Sequence, residues 1–348
     1  MQKVNWDKYK NNGNTGLMNL GNTCFLNSCI QVLNHTYELV DFLHSEKNQK
    51  YTKHDLADCS ITKEWMELRE VMWTNSGTVS PNKFVFHVHK LAKEKNREIF
   101  TGWAQNDMSE FLLFMIECMH NSISRSINMN IHGKTETDID KLAISCYSML
   151  KDIYKKEYSE IMDMFYGIYV SELYSLNGVR YTLKPEHFFI LDLPINEDSD
   201  NCTLLDCFDV FVNEEILDGD NAWFNENTNE KEDVTKRITF WNLPKILVIT
   251  LKRFSADGER KLDNMVDFPL ENLDLSKYIS GYNASSYVYD LFGVCNHIGS
   301  PMGGHYTSFV KNASNEWIHY NDSNVNVLHS SSQINTPMAY CLFYRKKM

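Results

Sequence analysis

No two cysteines in this 348-residue chain stand in C-x-x-C spacing, although there are nine: Cys24, Cys29, Cys59, Cys118, Cys146, Cys202, Cys207, Cys295 and Cys341. That absence removes the usual ligand pattern of a structural zinc site, and no metal or cofactor is expected. An odd, scattered set of thiols, several inside apolar runs, reads as reduced cysteines in an intracellular setting, cytoplasmic or nuclear. No apolar run approaches the roughly 20 residues that cross a bilayer. The segment from Met1 to Lys8 lacks the apolar core of a signal peptide, so no membrane partner is expected. Prolines number only seven, and no Pro/Gly-rich linker, repeat or low-complexity tract divides the chain. Positive charge is scarce too. Lys and Arg total 34 against 46 Asp and Glu, a net charge of −12, which repels phosphate backbones and makes nucleic acid a poor partner. The short basic end Arg345-Lys346-Lys347 reads as a solvated terminus. An acidic surface suits a basic peptide or a protein with exposed arginines.

What is present is a globular composition, 43% hydrophobic and 23% charged, with length for one large domain or two ordinary ones. Residues 1–13 are polar and Asn-rich and read as a loose leader to a body spanning 14–347. Apolar residues recur at near-helical spacing from Cys24 to Leu39. Asp107 and Glu110 form a capping-box pattern ahead of a helix carrying Phe111, Leu112, Met115 and Met119 on one face. Helical patterns predominate to about residue 165. Beyond it, Phe188–Ile195, Lys245–Arg253, Tyr287–Asn296, His305–Val310, Glu316–Tyr320 and Ala339–Tyr344 read as strands. Helices followed by strands predict an α+β fold with a mostly antiparallel sheet. The polar stretch Asp218–Arg237 reads as a loop or hairpin projecting from that sheet.

Three segments carry reactive side chains. In Gly16-Leu17-Met18-Asn19-Leu20-Gly21-Asn22-Thr23-Cys24-Phe25-Leu26-Asn27-Ser28, a Gly/Asn-rich turn feeds an amphipathic helix that opens at Cys24. A thiol at a helix N-terminus feels the positive end of the macrodipole, which favours the nucleophilic thiolate. Asn19 is placed to aim an amide N–H at a developing oxyanion. In Gly299-Ser300-Pro301-Met302-Gly303-Gly304-His305-Tyr306, a loop ends in a histidine that opens a strand, a good position for a general base. The paired glycines are expected to let a substrate backbone approach. In Glu316-Trp317-Ile318-His319-Tyr320-Asn321-Asp322-Ser323, both Asn321 and Asp322 offer the oxygen that would orient an imidazole. Along a straight strand they face opposite sides, so only one would reach His305. Read singly, each residue also fits a bland role: a packed helix cysteine, one structural histidine among twelve, a polar hairpin turn.

Together the three segments resemble the catalytic signature of the ubiquitin-specific proteases, a papain-like class. Gln105-Asn106-Asp107-Met108-Ser109-Glu110-Phe111-Leu112 is similar to the family's Gln/Asp motif. Asn242 to Phe254 and Val266-Asp267-Phe268-Pro269-Leu270 are similar to its strand signatures. The resemblance runs collinearly over residues 14 to 347. It implies a papain-like fold with a helical thumb (about 14–165) and, over about 166–347, a β fingers extension and an antiparallel β palm. It implies Cys24 as nucleophile, His305 as base and then acid, and Asn321 as its orienting residue, with Asp322 supporting or replacing it. Asn19 becomes the oxyanion donor. Gln105, Asp107, His297, Gly304 and Tyr306 would line the path of the substrate tail. The implied partners are ubiquitin and ubiquitinated proteins, met by a monomer that hydrolyses the bond after ubiquitin's C-terminal glycine. A silent ubiquitin-binding pseudoenzyme and a protease for another modifier remain alternatives. Many members hold zinc in the fingers with two C-x-x-C pairs. Their places here, near Tyr174 and Asn177 and within 221–227, carry no cysteine, so a hairpin without metal is expected. Loops over 255–263 and 299–304 are expected to cover the channel.

Overall fold

Helices come first along the chain: Cys24–Asn34, Tyr37–Leu43, Glu46–Tyr51, Asp58–Thr74, Asn82–Glu94, Met108–Ile123, Asp138–Tyr154 and Glu160–Phe165. The computed structural model describes residues 4–102, 104–196, 201–255, 259–300 and 303–347. The helical spacing read through Leu39 is broken at His35 and Thr36. There the His35 Nδ1 bonds the carbonyl of Gln31 at 2.8 Å and Thr36 Oγ1 donates to that of Val32 at 3.1 Å. Such local side-chain bonds compete with the helical ladder and end it. Asp107 caps the Met108–Ile123 helix by accepting from the backbone N–H of Ser109 and Glu110. Only the aspartate's half of the expected reciprocal box forms, because the Glu110 side chain does not return to the cap.

Strands dominate from Gly167 onward and, among the described residues, form two large sheets and two two-stranded pairs. The fingers are four antiparallel strands in the order Arg180–Phe188, Gly167–Ser175, Val234–Asn242 and Glu215–Leu217. Beside them the polar stretch forms the hairpin Trp223–Asn225 with Glu230–Glu232. Asn225 Nδ2 donates to Glu232 at 2.8 Å, and Trp223 stacks on Tyr181 with centroids 5.5 Å apart. Side-chain packing thus closes the hairpin and ties it to the Arg180–Phe188 strand. Among the described residues, no three His, Cys, Asp or Glu side chains gather as a metal site.

The palm runs in the order Asn324–Val327, Trp317–Asn321, Gly303–Lys311, Val288–Ser300, Ala339–Lys346, Ile246–Lys252 and Ile190–Pro194. It is antiparallel except at one edge, where Ile246–Lys252 pairs parallel with Ile190–Pro194. Six consecutive buried residues in Ile246–Lys252 fit a strand covered on both faces, the environment of parallel pairing. One helix interrupts this half. Leu204–Val212 is started by a full capping box between Thr203 and Asp206, a signal that strand-like composition around it masks. The architecture is the papain-like thumb, palm and fingers of α+β class.

The helix opening at Cys24 is the keystone. All eleven of its residues are buried, between the Met108–Ile123 helix on one side and the Gly303–Lys311 and Val288–Ser300 strands on the other. Gly293 permits the approach, since a Cβ there would lie 2.6 Å from Val32 Cγ1. The expected loose leader is instead docked: Val4 and Tyr9 are buried, and Tyr9 stacks on Tyr37 with centroids 4.3 Å apart. The Val4 side chain and the Tyr9 ring, embedded among the asparagines, supply the buried apolar area that holds so short a segment. Residues 1–3 lie outside the described residues, as do 256–258 and 301–302 of the two loops expected over the channel.

Candidate active site

Cys24 sits at the first position of its helix, 3% exposed. The turn before it is tight, with Gly21 at φ +100° and Asn22 at φ +57°, left-handed values that glycine and asparagine tolerate best. The backbone N–H groups of Tyr306, Phe25 and Cys24 itself pull the thiol pKa down. These favour thiolate, as the sequence suggests. Burial outweighs them, and the nearby Asp322 carboxylate adds to it, so the thiol pKa lies above its ordinary value. The low-pKa expectation therefore fails, because the helix amides act on a thiol that burial has taken out of water. Cys24 and Tyr306, the residue that follows His305, are near enough for each to shift the other's pKa.

His305 opens the Gly303–Lys311 strand and points its Nε2–H at Asn321 Oδ1, 2.8 Å away. Asn321 ends the adjacent strand, Trp317–Asn321. The next residue, Asp322, turns back through φ +51°, so strict alternation fails at this strand end. Its Oδ2 comes within 4.0 Å of the same His305 nitrogen. Both candidates therefore reach the imidazole, Asn321 by a hydrogen bond and Asp322 by proximity. With Nε2 engaged, Nδ1 is the ring nitrogen left for chemistry.

Asn19 lies against Asp322 as well. Its Nδ2 donates to Asp322 Oδ2 at 2.9 Å, while its Oδ1 accepts from the N–H of Gly21 at 3.0 Å and of Thr23 at 3.2 Å. One amide hydrogen is thus committed to the carboxylate and one remains for an oxyanion. Gly16 serves a neighbouring join rather than the reacting atom. A Cβ at 16 would meet Ser323 O at 2.6 Å, and Leu17 N donates to Asp322 O at 2.9 Å. The nucleophile's segment and the histidine's hairpin are pinned together there.

The tail-path residues cluster on the same seam. Gln105 Oε1 accepts from Gly304 N at 2.5 Å, and its Nε2 reaches Asn22 Oδ1 at 3.5 Å. This side chain spans the gap between the loop before Cys24 and the loop before His305. The paired glycines are filled from inside the protein: a Cβ at 304 would lie 2.3 Å from Ile298 O and 2.4 Å from His297 Nε2, and one at 303 would lie 2.7 Å from Gln105 Oε1. They admit the protein's own atoms rather than an open path for substrate. Asp107 is occupied by its helix cap and by the hydroxyls of Tyr340 at 2.6 Å and Tyr306 at 3.3 Å. Tyr306 is buried, and burial with the Asp107 charge holds its phenol protonated. His297 is 4% exposed beside the rings of Tyr306 and Phe254. Burial and then the Lys261 charge lower its pKa to about 4, so it is neutral.

Asn27 was not among the residues singled out from sequence. It is 2% exposed on the Cys24 helix, and its Nδ2 donates to Asp322 Oδ1 at 2.7 Å. The available signal is a polar stripe, Asn27, Gln31 and Asn34, at i, i+4 and i+7 along one face of the helix.

Known proteins are similar to this chain in sequence and in fold. The family model described as ubiquitin carboxyl-terminal hydrolase matches residues 15–344. Ubiquitin carboxyl-terminal hydrolase 2 of Bos taurus is 36% identical over 342 residues, covering 95% of this chain and 55% of that protein. Ubiquitin carboxyl-terminal hydrolase 21 of Homo sapiens is 33% identical, covering 96% of this chain and 61% of that protein. The chain spans a little over half the length of the first curated relatives it matches. Among solved structures, the SAGA DUB module of Ubp8, Sgf11, Sus1 and Sgf73 bound to ubiquitin aldehyde matches with a TM-score of 0.72 at 23% identity. That match covers 98% of this chain and 71% of the other. The same module bound to monoubiquitin gives 0.73 at 23% identity, covering 97% and 70%. At that identity the structural likeness is one of fold.

Proposed function

This chain belongs to the ubiquitin carboxyl-terminal hydrolase family, of the ubiquitin-specific protease type, and on that premise we propose that it is a cysteine-type deubiquitinase cleaving the bond after ubiquitin's C-terminal glycine. The single observation that carries the reading is the His305 ring, fixed by Asn321 at 2.8 Å, on the same strand as Tyr306, whose backbone amide acts on the buried Cys24 thiol. Because burial keeps Cys24 protonated at rest, His305 takes the proton through Nδ1 as sulfur attacks the glycine carbonyl. The sulfur–carbon bond forms and the carbonyl electrons move onto oxygen. The free hydrogen of Asn19 and the N–H groups at the helix start meet that oxyanion, and losing one such donor typically costs about 3 kcal/mol of barrier. The imidazolium then protonates the departing lysine amine as the carbon–nitrogen bond breaks. His305 next activates water, which hydrolyses the thioester and frees Cys24.

The partners in this reading are ubiquitin and ubiquitinated proteins, engaged by a monomer. A tail ending in two glycines suits a seam already crowded by Gln105, Ile298 and His297 around Gly303 and Gly304, where a further side chain would clash. Arginines in that tail suit the chain's −12 charge, with Asp107 as the carboxylate that the family resemblance assigns to the tail. Nine free cysteines fit a reducing, intracellular setting, and no helix among the described residues is long and apolar enough to cross a membrane.

The test is incubation with ubiquitin carrying a C-terminal electrophile, beside the same probe built on other ubiquitin-like modifiers. A covalent adduct with the ubiquitin probe, absent in Cys24→Ser, supports the reading. Tight binding of wild type without reaction makes the chain a pseudoenzyme. Faster labelling by another modifier's probe reassigns its substrate.

A further inference from the structure

We propose that Asn27 is a positioning residue of the catalytic centre, holding the Asp322 carboxylate so that it orders Asn19 and His305 around Cys24. The inference rests on the reading of Cys24 and His305 as the reacting pair. Asn27 lies three residues after Cys24, at the same helix face one turn on, and is 2% exposed. Its Nδ2 donates to Asp322 Oδ1 at 2.7 Å and reaches Met18 O at 3.4 Å, while its Oδ1 has no hydrogen-bond partner. A buried amide oxygen left unpaired is unfavourable, so packing alone would be served better by an apolar side chain of the same shape. What the amide provides is one directed donor.

That donor fixes a group with two duties. Asp322 stands in a left-handed turn at φ +51°, with backbone already tied by Leu17 N to Asp322 O at 2.9 Å. The orientation of its carboxylate is then set by side chains. Asn27 takes Oδ1; Oδ2 accepts from Asn19 and lies 4.0 Å from His305 Nε2. Asn19 and Asn27 flank the nucleophile on its own segment, and Asp322 lies on the histidine's hairpin. The two bonds therefore set the register between the reacting halves. Without Asn27 the carboxylate is free to rotate, and it releases both the Asn19 amide and the charge beside the imidazole.

The experiment is a double-mutant cycle on the full chain with Asn27→Leu, Asp322→Ala and the pair. It is read by hydrolysis of a fluorogenic ubiquitin C-terminal amide, by iodoacetamide alkylation of Cys24 and by melting. Expected is an about tenfold fall in kcat for Asn27→Leu, with KM within about twofold and Tm within about 4 °C. In the Asp322→Ala background the same substitution should change kcat less than about twofold. Asn27→Ala repeats the cycle should the leucine variant not fold. An unchanged kcat, an equal loss in both backgrounds, or losses in both variants that track melting would overturn the proposal. Alkylation needs no ubiquitin. Wild type that fails to cleave ubiquitin therefore defeats the deubiquitinase reading, while coupling between Asn27 and Asp322 in the alkylation rate still decides the positioning one.

Discussion

Asn321 and Asp322 are consecutive in the chain yet both face the His305 ring, one through a 2.8 Å hydrogen bond and the other with a carboxylate oxygen 4.0 Å away. The left-handed turn at Asp322 makes this possible by ending strand alternation one residue early. The directional contact belongs to Asn321. Asn321→Ala should lower kcat on the order of 100-fold, and Asp322→Ala by about tenfold, since the first frees the imidazole to rotate and the second loosens its surroundings. Steady-state hydrolysis of a ubiquitin C-terminal amide measures both, and the reverse order would assign the orienting role to Asp322.

Thiol ionisation gives a second prediction. Burial raises the Cys24 pKa more than the three backbone N–H donors lower it. The rate of iodoacetamide labelling at Cys24 should therefore rise with pH with a midpoint above the ordinary thiol value of about 8.5. A plateau already reached near pH 6 would instead mean a preformed thiolate and imidazolium pair.

A third prediction concerns Gly304, whose added Cβ would stand 2.3 Å from Ile298 O and 2.4 Å from His297 Nε2. Neither neighbour can yield easily: one is strand backbone and the other a ring packed against Tyr306 at 4.8 Å. Gly304→Ala should push His305 out of line and reduce kcat/KM about 100-fold or more, a sensitivity typical of misplaced reacting groups. Retained activity would show that the strand end can shift freely.

Asp107 serves two ends, and two substitutions separate them. Asp107→Ala removes a helix cap, which costs about 1 kcal/mol, and also strips the hydroxyls of Tyr306 and Tyr340 of their shared acceptor. Its Tm should fall. Asparagine caps as well as aspartate, so Asp107→Asn should melt close to wild type while raising KM several-fold through the lost charge. Equal KM values for wild type and Asp107→Asn would remove the carboxylate from tail recognition.

Acid sensitivity should concentrate at Glu160. Burial opposes its charge, but the two-pronged Arg125 contact at 2.6 and 3.0 Å and Lys47 at 2.8 Å prevail and hold its pKa at about 2. A depressed carboxylate pKa stabilises the fold above the unfolded value of about 4.3, and that contribution is lost as pH falls towards 2. Glu160→Gln should therefore be destabilised at pH 7 by on the order of 3 kcal/mol. Its gap from wild type should close between about pH 4.5 and 2. A gap that does not depend on pH would mean that shape, not charge, is what Glu160 contributes.

The linear order of residues singled out the candidate reacting groups. A thiol at a helix start, a histidine after paired glycines and a terminal Asn-Asp are local patterns, as are the period-3.6 and period-2 runs that give helices before strands. Local patterns do not report distance or dielectric. Only the assembled fold buries Cys24 enough to raise its pKa, turns Asp322 back onto the imidazole, fills the space beside Gly304 with His297, and brings Asn27 to a carboxylate 295 positions away. It also folds Val4 and Tyr9 onto the body and pairs one palm edge in parallel. Each of these depends on what packs against a residue from elsewhere in the chain. Desolvation and close contact are properties of that neighbourhood and have no signature in a single segment.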